Sequence, residues 1–373
     1  MFVFVCAACD ADLTAPLSRV ALPVHAHQRY GNGSQLPVLM DPGTFAVEPE
    51  PWGPPWRRWA EIDPAEAEAR GIHAPVHALS DNVPGAVVIA PGEAHGTVLI
   101  PENRGSGYCC GLDGAGGPNM GCAACGRPVA TRIDDCSLWQ AVWLDPVAVR
   151  RVPVGDGEET PLSWPELMAD REATPPFESI GSWGCGPRPD KWWSSWSPEW
   201  EAAAGRALAH LLVASGGRPV SVPDGLTSEV FQGALDALLP AGPPARHAVL
   251  AGPGLPAPDA AAGLLLVPTH PQSGRTWSPD GPAASAYRVP LPFGVWRWLA
   301  FPEPRRSVAT TLSRMPTGML REDCPVPPPH HHPPFRVDSE TFRNTLVRLP
   351  AVRTPWLRAI LESPTRNTPA GIF

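Results

Sequence analysis

Two CxxC motifs carry the clearest chemistry in this chain: Cys6 and Cys9 in "VCAACD", and Cys122 and Cys125 in "GCAACG". Together they supply four thiolates, the number and type of donor that closes a tetrahedral Zn2+ site. Each motif follows a short stretch that can run extended. Each is followed by a turn former, Asp10 or Gly126, which lets backbone amides point at the sulfurs. A site closed by four thiolates has no open position for water or substrate, so it implies a stabilised fold and not hydrolysis. Bringing Cys6 to Cys125 closes a long loop and ties the first strand to the end of the N-terminal half.

The motifs resemble the rubredoxin-type knuckles of zinc ribbons, over a few residues around each. The resemblance implies structural Zn2+ on Cys6, Cys9, Cys122 and Cys125. An intervening stretch of 112 residues between Cys9 and Cys122 is far longer than an ordinary ribbon holds, so the ribbon is a split one. A local ligand set competes with it, because Cys109, Cys110, Cys122 and Cys125 fall within seventeen residues. Adjacent cysteines, however, diverge along an extended chain. A second site using Cys109 or Cys110 with Cys136 and a histidine also stays open. Cys136 follows Asp134 and Asp135, whose charges raise a thiol's pKa and suit an inert buried side chain. Cys185 and Cys324 are isolated.

Other chemistry is weaker. His25 and His27 form an HxH with no second metal-binding motif downstream, and His330, His331 and His332 sit in a Pro-rich loop that invites adventitious metal. The deaminase pattern, GxGxxG, the P-loop and GxSxG are all absent. Ser273, Gly274, Arg275 and Thr276 follow a strand candidate, a place where α/β sheets often hold an anion. Trp183, Trp192, Trp193, Trp196 and Trp200 crowd into eighteen residues, as a packed interdomain face or as a stacking platform.

A formal charge of -8 and a pI near 5.8 argue against binding a phosphate backbone, and Arg57-Arg58, Arg150-Arg151 and Arg305-Arg306 are too short to reverse it. No stretch approaches the ~20 apolar residues of a membrane span, and "MFVFVCAAC" lacks the positive start and long apolar segment of a leader. The expected location is therefore the cytoplasm, with reduced thiols. Lys191 is the single lysine, a codon bias by which the whole chain resembles proteins of high-GC bacteria; that resemblance implies no activity.

The positioning elements divide into three stretches. Residues 1–150 read as a β-rich zinc-binding domain that carries seven of the nine cysteines. In it, "AVVIAPGEAHGTVLI" is the best hairpin, Ala86–Ala90 with Thr97–Ile100, and "DPAEAEARG" is a short helix capped by Asp63. Residues 151–200 form a Trp/Pro-rich connection. Residues 201–373 read as a smaller α/β domain, with a helix in "PEWEAAAGRALAHLLVASGG" and a second capped by Thr227. Strands follow in "ARHAVLAG" and "AAGLLLVPT", and helices in "SETFRNTLVRL" and "TPWLRAILES". The expected class is α+β. Three functions fit: a non-catalytic zinc protein that binds another protein, an enzyme with a site at the domain interface using His25, His27 or the 270–276 loop, and a nucleic-acid factor.

Overall fold

The computed structural model describes residues 1–29, 36–103, 111–155, 160–170, 173–178, 195–259, 262–302 and 334–362. Cys109, Cys110, Cys185, Cys324, Trp183, Trp192, Trp193, Arg305, Arg306 and His330–His332 lie outside the described residues.

The first half of the chain forms β1 (Phe2–Cys6), β2 (Ser18–Arg19), β3 (Thr44–Val47), β4 (Trp56–Arg58), α1 (Pro64–Ala69), β5 (Ala78–Ser80), β6 (Val87–Ile89), β7 (Thr97–Leu99), β8 (Met120–Cys122), β9 (Pro128–Ile133), β10 (Ala141–Leu144) and β11 (Val149–Pro153). Seven strands join in the order β2-β3-β6-β10-β9-β8-β7, antiparallel except for the β2–β3 pair. The central strands are unbroken apolar runs because both faces are covered. One face, with Phe45, Val87, Ile89 and Leu144, packs against Phe4, Leu13 and Leu17. The opposite face, with Ala46, Val88 and Trp143, packs against Leu36, Leu39 and Trp139. Strand β1 belongs to a separate ribbon with β11, Phe2 facing Pro153 and Cys6 facing Val149.

The expected hairpin is corrected: β6 pairs with β3 and β10, whereas β7 pairs with β8 at the far edge of the same sheet. The turn at Pro91–Glu93 and the stretch Ala94–Gly96 carry the chain across the sheet end, and each strand finds its partners from distant sequence. Helix α1 forms as its sequence dictates. The Asp63 side chain accepts from Ala65 N–H at 2.8 Å, Pro64 opens the helix, and Gly71 takes a φ of 69° beyond its end.

The second half adds α2 (Trp164–Asp170), β12 (Phe177–Glu178), β13 (Ser195–Trp196), α3 (Pro198–Ser215), β14 (Val220–Ser221), α4 (Leu226–Leu238), β15 (Arg246–Leu250), β16 (Leu264–Thr269), β17 (Tyr287–Pro292), α5 (Phe293–Ala300), α6 (Ser339–Leu346) and α7 (Pro355–Glu362). Strands β14-β15-β16-β17 make an all-parallel sheet in chain order. Helix α3 is buried over most of its surface, and at Gly205 a Cβ would stand 2.6 Å from the Asp338 carbonyl, so glycine is what lets α6 pack so closely. Thr227 does not cap α4: Gly225 holds that position and Thr227 is buried as the second residue of the helix. Helix and sheet together fit the α+β class.

Short contacts stitch the halves together. Ala21 N–H donates to the Pro271 carbonyl at 2.8 Å, and His73 N–H to the Val347 carbonyl at 2.8 Å. The Gln28 side chain donates to the Pro198 carbonyl at 3.0 Å, and Arg348 forms a two-pronged ion pair with Glu50.

Candidate metal centre

The four cysteines reach one place because β1 and β8 both end on the same buried cluster, which includes Cys6 and Cys122. All four Sγ atoms lie within 4.8 Å of one another. The Cys6–Cys125 and Cys9–Cys122 sulfurs are each 3.7 Å apart. A tetrahedron with metal–sulfur bonds of ~2.3 Å has edges of ~3.8 Å. Two of the six sulfur edges already match that length, and the four sulfurs together could hold a metal ion.

The two knuckles repeat each other bond for bond. Asp10 N–H donates to the Cys6 carbonyl at 2.9 Å, and Gly126 N–H to the Cys122 carbonyl at 2.8 Å. Cys6 N–H donates to Ala11 at 2.9 Å and Cys122 N–H to Arg127 at 2.8 Å. Ala7 and Ala123 donate to Ala148 and Gly96, both at 2.9 Å. Asp10 and Gly126 carry the left-handed turns, with φ of 59° and 75°. Asp10 tolerates that region better than most side chains, and its carboxylate pairs with Arg150.

Cys6 and Cys122 are wholly buried, whereas Cys9 and Cys125 are exposed, so one edge of the sulfur tetrahedron faces solvent. Burial opposes ionisation of Cys6. Hydrogen bonds from the Ala8 and Cys9 amides and from the Cys125 and Cys9 thiols outweigh it and bring the thiol down to about 7. At Cys9 the Ala11 amide favours the thiolate, but Cys125, burial, Cys122 and Cys6 together push it up to about 12. A second negative charge is thus resisted beside the first, and a cation between the sulfurs removes that resistance.

Gly96 joins the two knuckles, a role legible in the sequence only as a glycine before a strand. Its N–H donates to the Leu13 carbonyl at 3.0 Å, behind the first knuckle, while its own carbonyl accepts from Ala123 in the second. A Cβ here would stand 1.9 Å from the Asp12 carbonyl oxygen.

The structure separates the two histidines of the HxH. His25 is buried against the Trp139 ring at 4.3 Å, and burial pushes its pKa down to about 3. His27 lies at the surface with its Nε2 2.6 Å from Glu48 Oε2, and its ring is stacked near Trp52 and Trp143. The 270–276 loop is closed on itself: His270 Nε2–H donates to the Leu162 carbonyl at 2.7 Å, and Nδ1 accepts from the amides of Gln272 and Ser273. Trp196 and Trp200 are core residues, so neither serves a surface platform. Cys136 is buried. Among the described residues, no group of three or more His, Cys, Asp and Glu side chains other than the four cysteines converges on a metal-sized space. No helix among them is long and apolar enough to cross a membrane. The chain matches no protein-family model, no curated protein and no solved structure.

Proposed function

We propose that this is a zinc protein in which Cys6, Cys9, Cys122 and Cys125 hold a structural Zn2+ as a split ribbon, and that it serves as a non-catalytic factor that binds another protein. The observation that carries the zinc reading is the pair of 3.7 Å sulfur edges, set by knuckles that repeat each other's hydrogen bonds. Zinc suits four thiolates at this spacing and needs no other ligand. It acts as a staple between the β1–β11 ribbon and strand β8, closing a domain of residues 1–150, with 151–200 as connection and 201–373 as an α/β unit. Four free thiolates at one site also suit a reducing compartment such as the cytoplasm.

The partner reading draws on the acidic balance, which disfavours nucleic acid, and on exposed apolar side chains of the first half. Trp56 is 53% exposed beside Arg57 and Arg58 on β4, and Val98 is 50% exposed on edge strand β7. Native mass spectrometry of the purified full-length chain tests both parts. One zinc per chain, lost in Cys6→Ser, supports the staple; unchanged zinc in that variant moves the site to the local cysteines. A protein partner captured in moderate salt and lost in Trp56→Ala supports the second part, whereas steeply salt-dependent binding of nucleic acid would replace it.

One observation favours an enzyme as the second reading. His27, half-exposed, is backed by the buried Glu48 carboxylate, and the charges of His27 and Arg29 act across the interface on Glu340 of α6. Burial raises the Glu340 pKa. At Glu48 burial also acts upward, but the His27 bond and charge, the Glu50 amide and Arg348 outweigh it and hold the pKa low. Two carboxyls driven apart around one imidazole are the pattern of acid–base pairs. A small molecule retained in the native spectrum and lost in His27→Ala would favour it.

A further inference from the structure

The sulfur cluster has an open side. Cys9 and Cys125 are exposed, and so are the residues inside each motif, Ala7, Ala8, Ala123 and Ala124, which carry only methyl groups. A small solute thus reaches two of the four sulfurs directly, whereas Cys6 and Cys122 are wholly buried. The two 3.7 Å contacts, Cys6–Cys125 and Cys9–Cys122, each join one exposed sulfur to one buried sulfur, and each crosses from one knuckle to the other. A disulfide bond of ~2.05 Å needs a further approach of ~1.7 Å at each pair.

An accessible thiolate beside a second thiolate is the arrangement that a peroxide oxidises to a disulfide. The exposed thiolate attacks one oxygen of hydrogen peroxide, the O–O bond breaks, and a sulfenic acid forms as hydroxide leaves. The buried partner then attacks the sulfenic sulfur; the S–S bond forms, the S–O bond breaks and a second hydroxide leaves. Two thiolates give up two electrons, and the peroxide, with two protons from solvent, ends as two waters. Four thiolates pair without remainder, so two peroxides consume the whole set. Each disulfide removes two ligands, and a metal held by four thiolates is released. The two pairs join residues 119 and 113 positions apart, so the oxidised chain stays closed where the metal had closed it.

We propose that Cys9 and Cys125 are oxidation sites for hydrogen peroxide, with Cys122 and Cys6 as their respective resolving thiols, and that the two cross-knuckle disulfides replace the metal as the tie between β1 and β8. The release of Zn2+ rests on the zinc reading above, whereas the disulfide pairing rests on the sulfur geometry alone.

The test is treatment of the folded, full-length, Zn2+-loaded chain with hydrogen peroxide, followed by alkylation of the remaining thiols, trypsin digestion and mass spectrometry without reduction. Cleavage at Arg19, Arg104 and Arg127 puts Cys6 and Cys9 in one peptide and Cys122 and Cys125 in another. The expected result is that these two peptides are joined, with fragmentation assigning Cys6–Cys125 and Cys9–Cys122. One Zn2+ per chain appears on a metallochromic dye as they form, and a thiol reductant restores zinc uptake. Disulfides confined to one motif, Cys6–Cys9 or Cys122–Cys125, overturn the inference. So do sulfinic acids at Cys9 and Cys125 without a cross-link, or four motif thiols still free after an exposure that fully oxidises glutathione. A chain that takes up no zinc yet forms the same cross-knuckle pairs fails the zinc reading and supports this inference.

Discussion

Replacing Gly96 by alanine tests whether the two knuckles are held together through the start of β7. The added Cβ meets the Asp12 carbonyl oxygen at 1.9 Å and Leu13 Cα at 2.8 Å, both backbone atoms that no side-chain rotation can move. Carbon–oxygen contact of ~3.3 Å requires a displacement of ~1.4 Å. The Gly96 bonds to Leu13 and from Ala123, now 3.0 and 2.9 Å, then exceed 4 Å and are no longer hydrogen bonds. Two bonds at about 1 kcal/mol each, with an overpacking cost of about 1–3 kcal/mol, give a loss of about 3–5 kcal/mol. The assay is urea unfolding of the metal-loaded protein, repeated after chelation. The loss should shrink in the chelated protein, where the knuckles are free to separate. A Gly96→Ala variant within about 0.5 kcal/mol of the wild type, with unchanged metal affinity in a chelator competition, would refute this account of the site.

Chelating the proposed metal lowers the melting temperature, and the metal content of Cys6→Ser falls further than that of Cys9→Ser, because Cys6 is enclosed in the core and Cys9 is exposed; metal analysis with scanning calorimetry checks both. His25 has a folded pKa of about 3, below its ordinary value of ~6.5, so its contribution to stability is complete above pH ~6.5 and is lost as the pH falls toward 3. Between pH ~6.5 and ~4.5 it adds a slope of about 1.4 kcal/mol per pH unit, which His25→Gln removes in denaturant titrations across that range. Gln28 accepts from Trp139 Nε1–H at 3.3 Å and donates to the Pro198 carbonyl at 3.0 Å, both in buried surroundings. Gln28→Leu leaves Trp139 Nε1–H without an acceptor, while the Pro198 carbonyl keeps its bond within α3, and costs about 1–3 kcal/mol, read from urea unfolding.

Much of the local structure is written in single residues. Asp63, Pro64 and Gly71 bracket α1 because capping and left-handed termination act within a few residues. Gly216, with φ of 61°, ends α3 in the same way. The two cysteine knuckles are equally legible, since CxxC followed by a turn former determines the backbone at each motif. The strand β17 was not legible: "YRVPLP" contains Pro290 and Pro292, which argue against a strand, yet β17 is an edge strand and needs fewer ladder donors. The expected Ala86–Ile100 hairpin does not form for a related reason, because adjacency in sequence does not say which edge of a sheet a strand will join.

The sequence by itself determined the donor set, four thiolates on two turns, and the net acidic charge. Which cysteines meet, and that their sulfurs gather within 4.8 Å of one another, was decided by tertiary structure. Packing of the β1–β11 ribbon against the seven-stranded sheet brings residue 6 to residue 125, with Gly96 as the backbone bridge. The division of His25 into the core and His27 onto Glu48 has the same origin. Ligand type is a property of a side chain, whereas convergence depends on burial of apolar faces more than a hundred residues apart, and no local pattern encodes that.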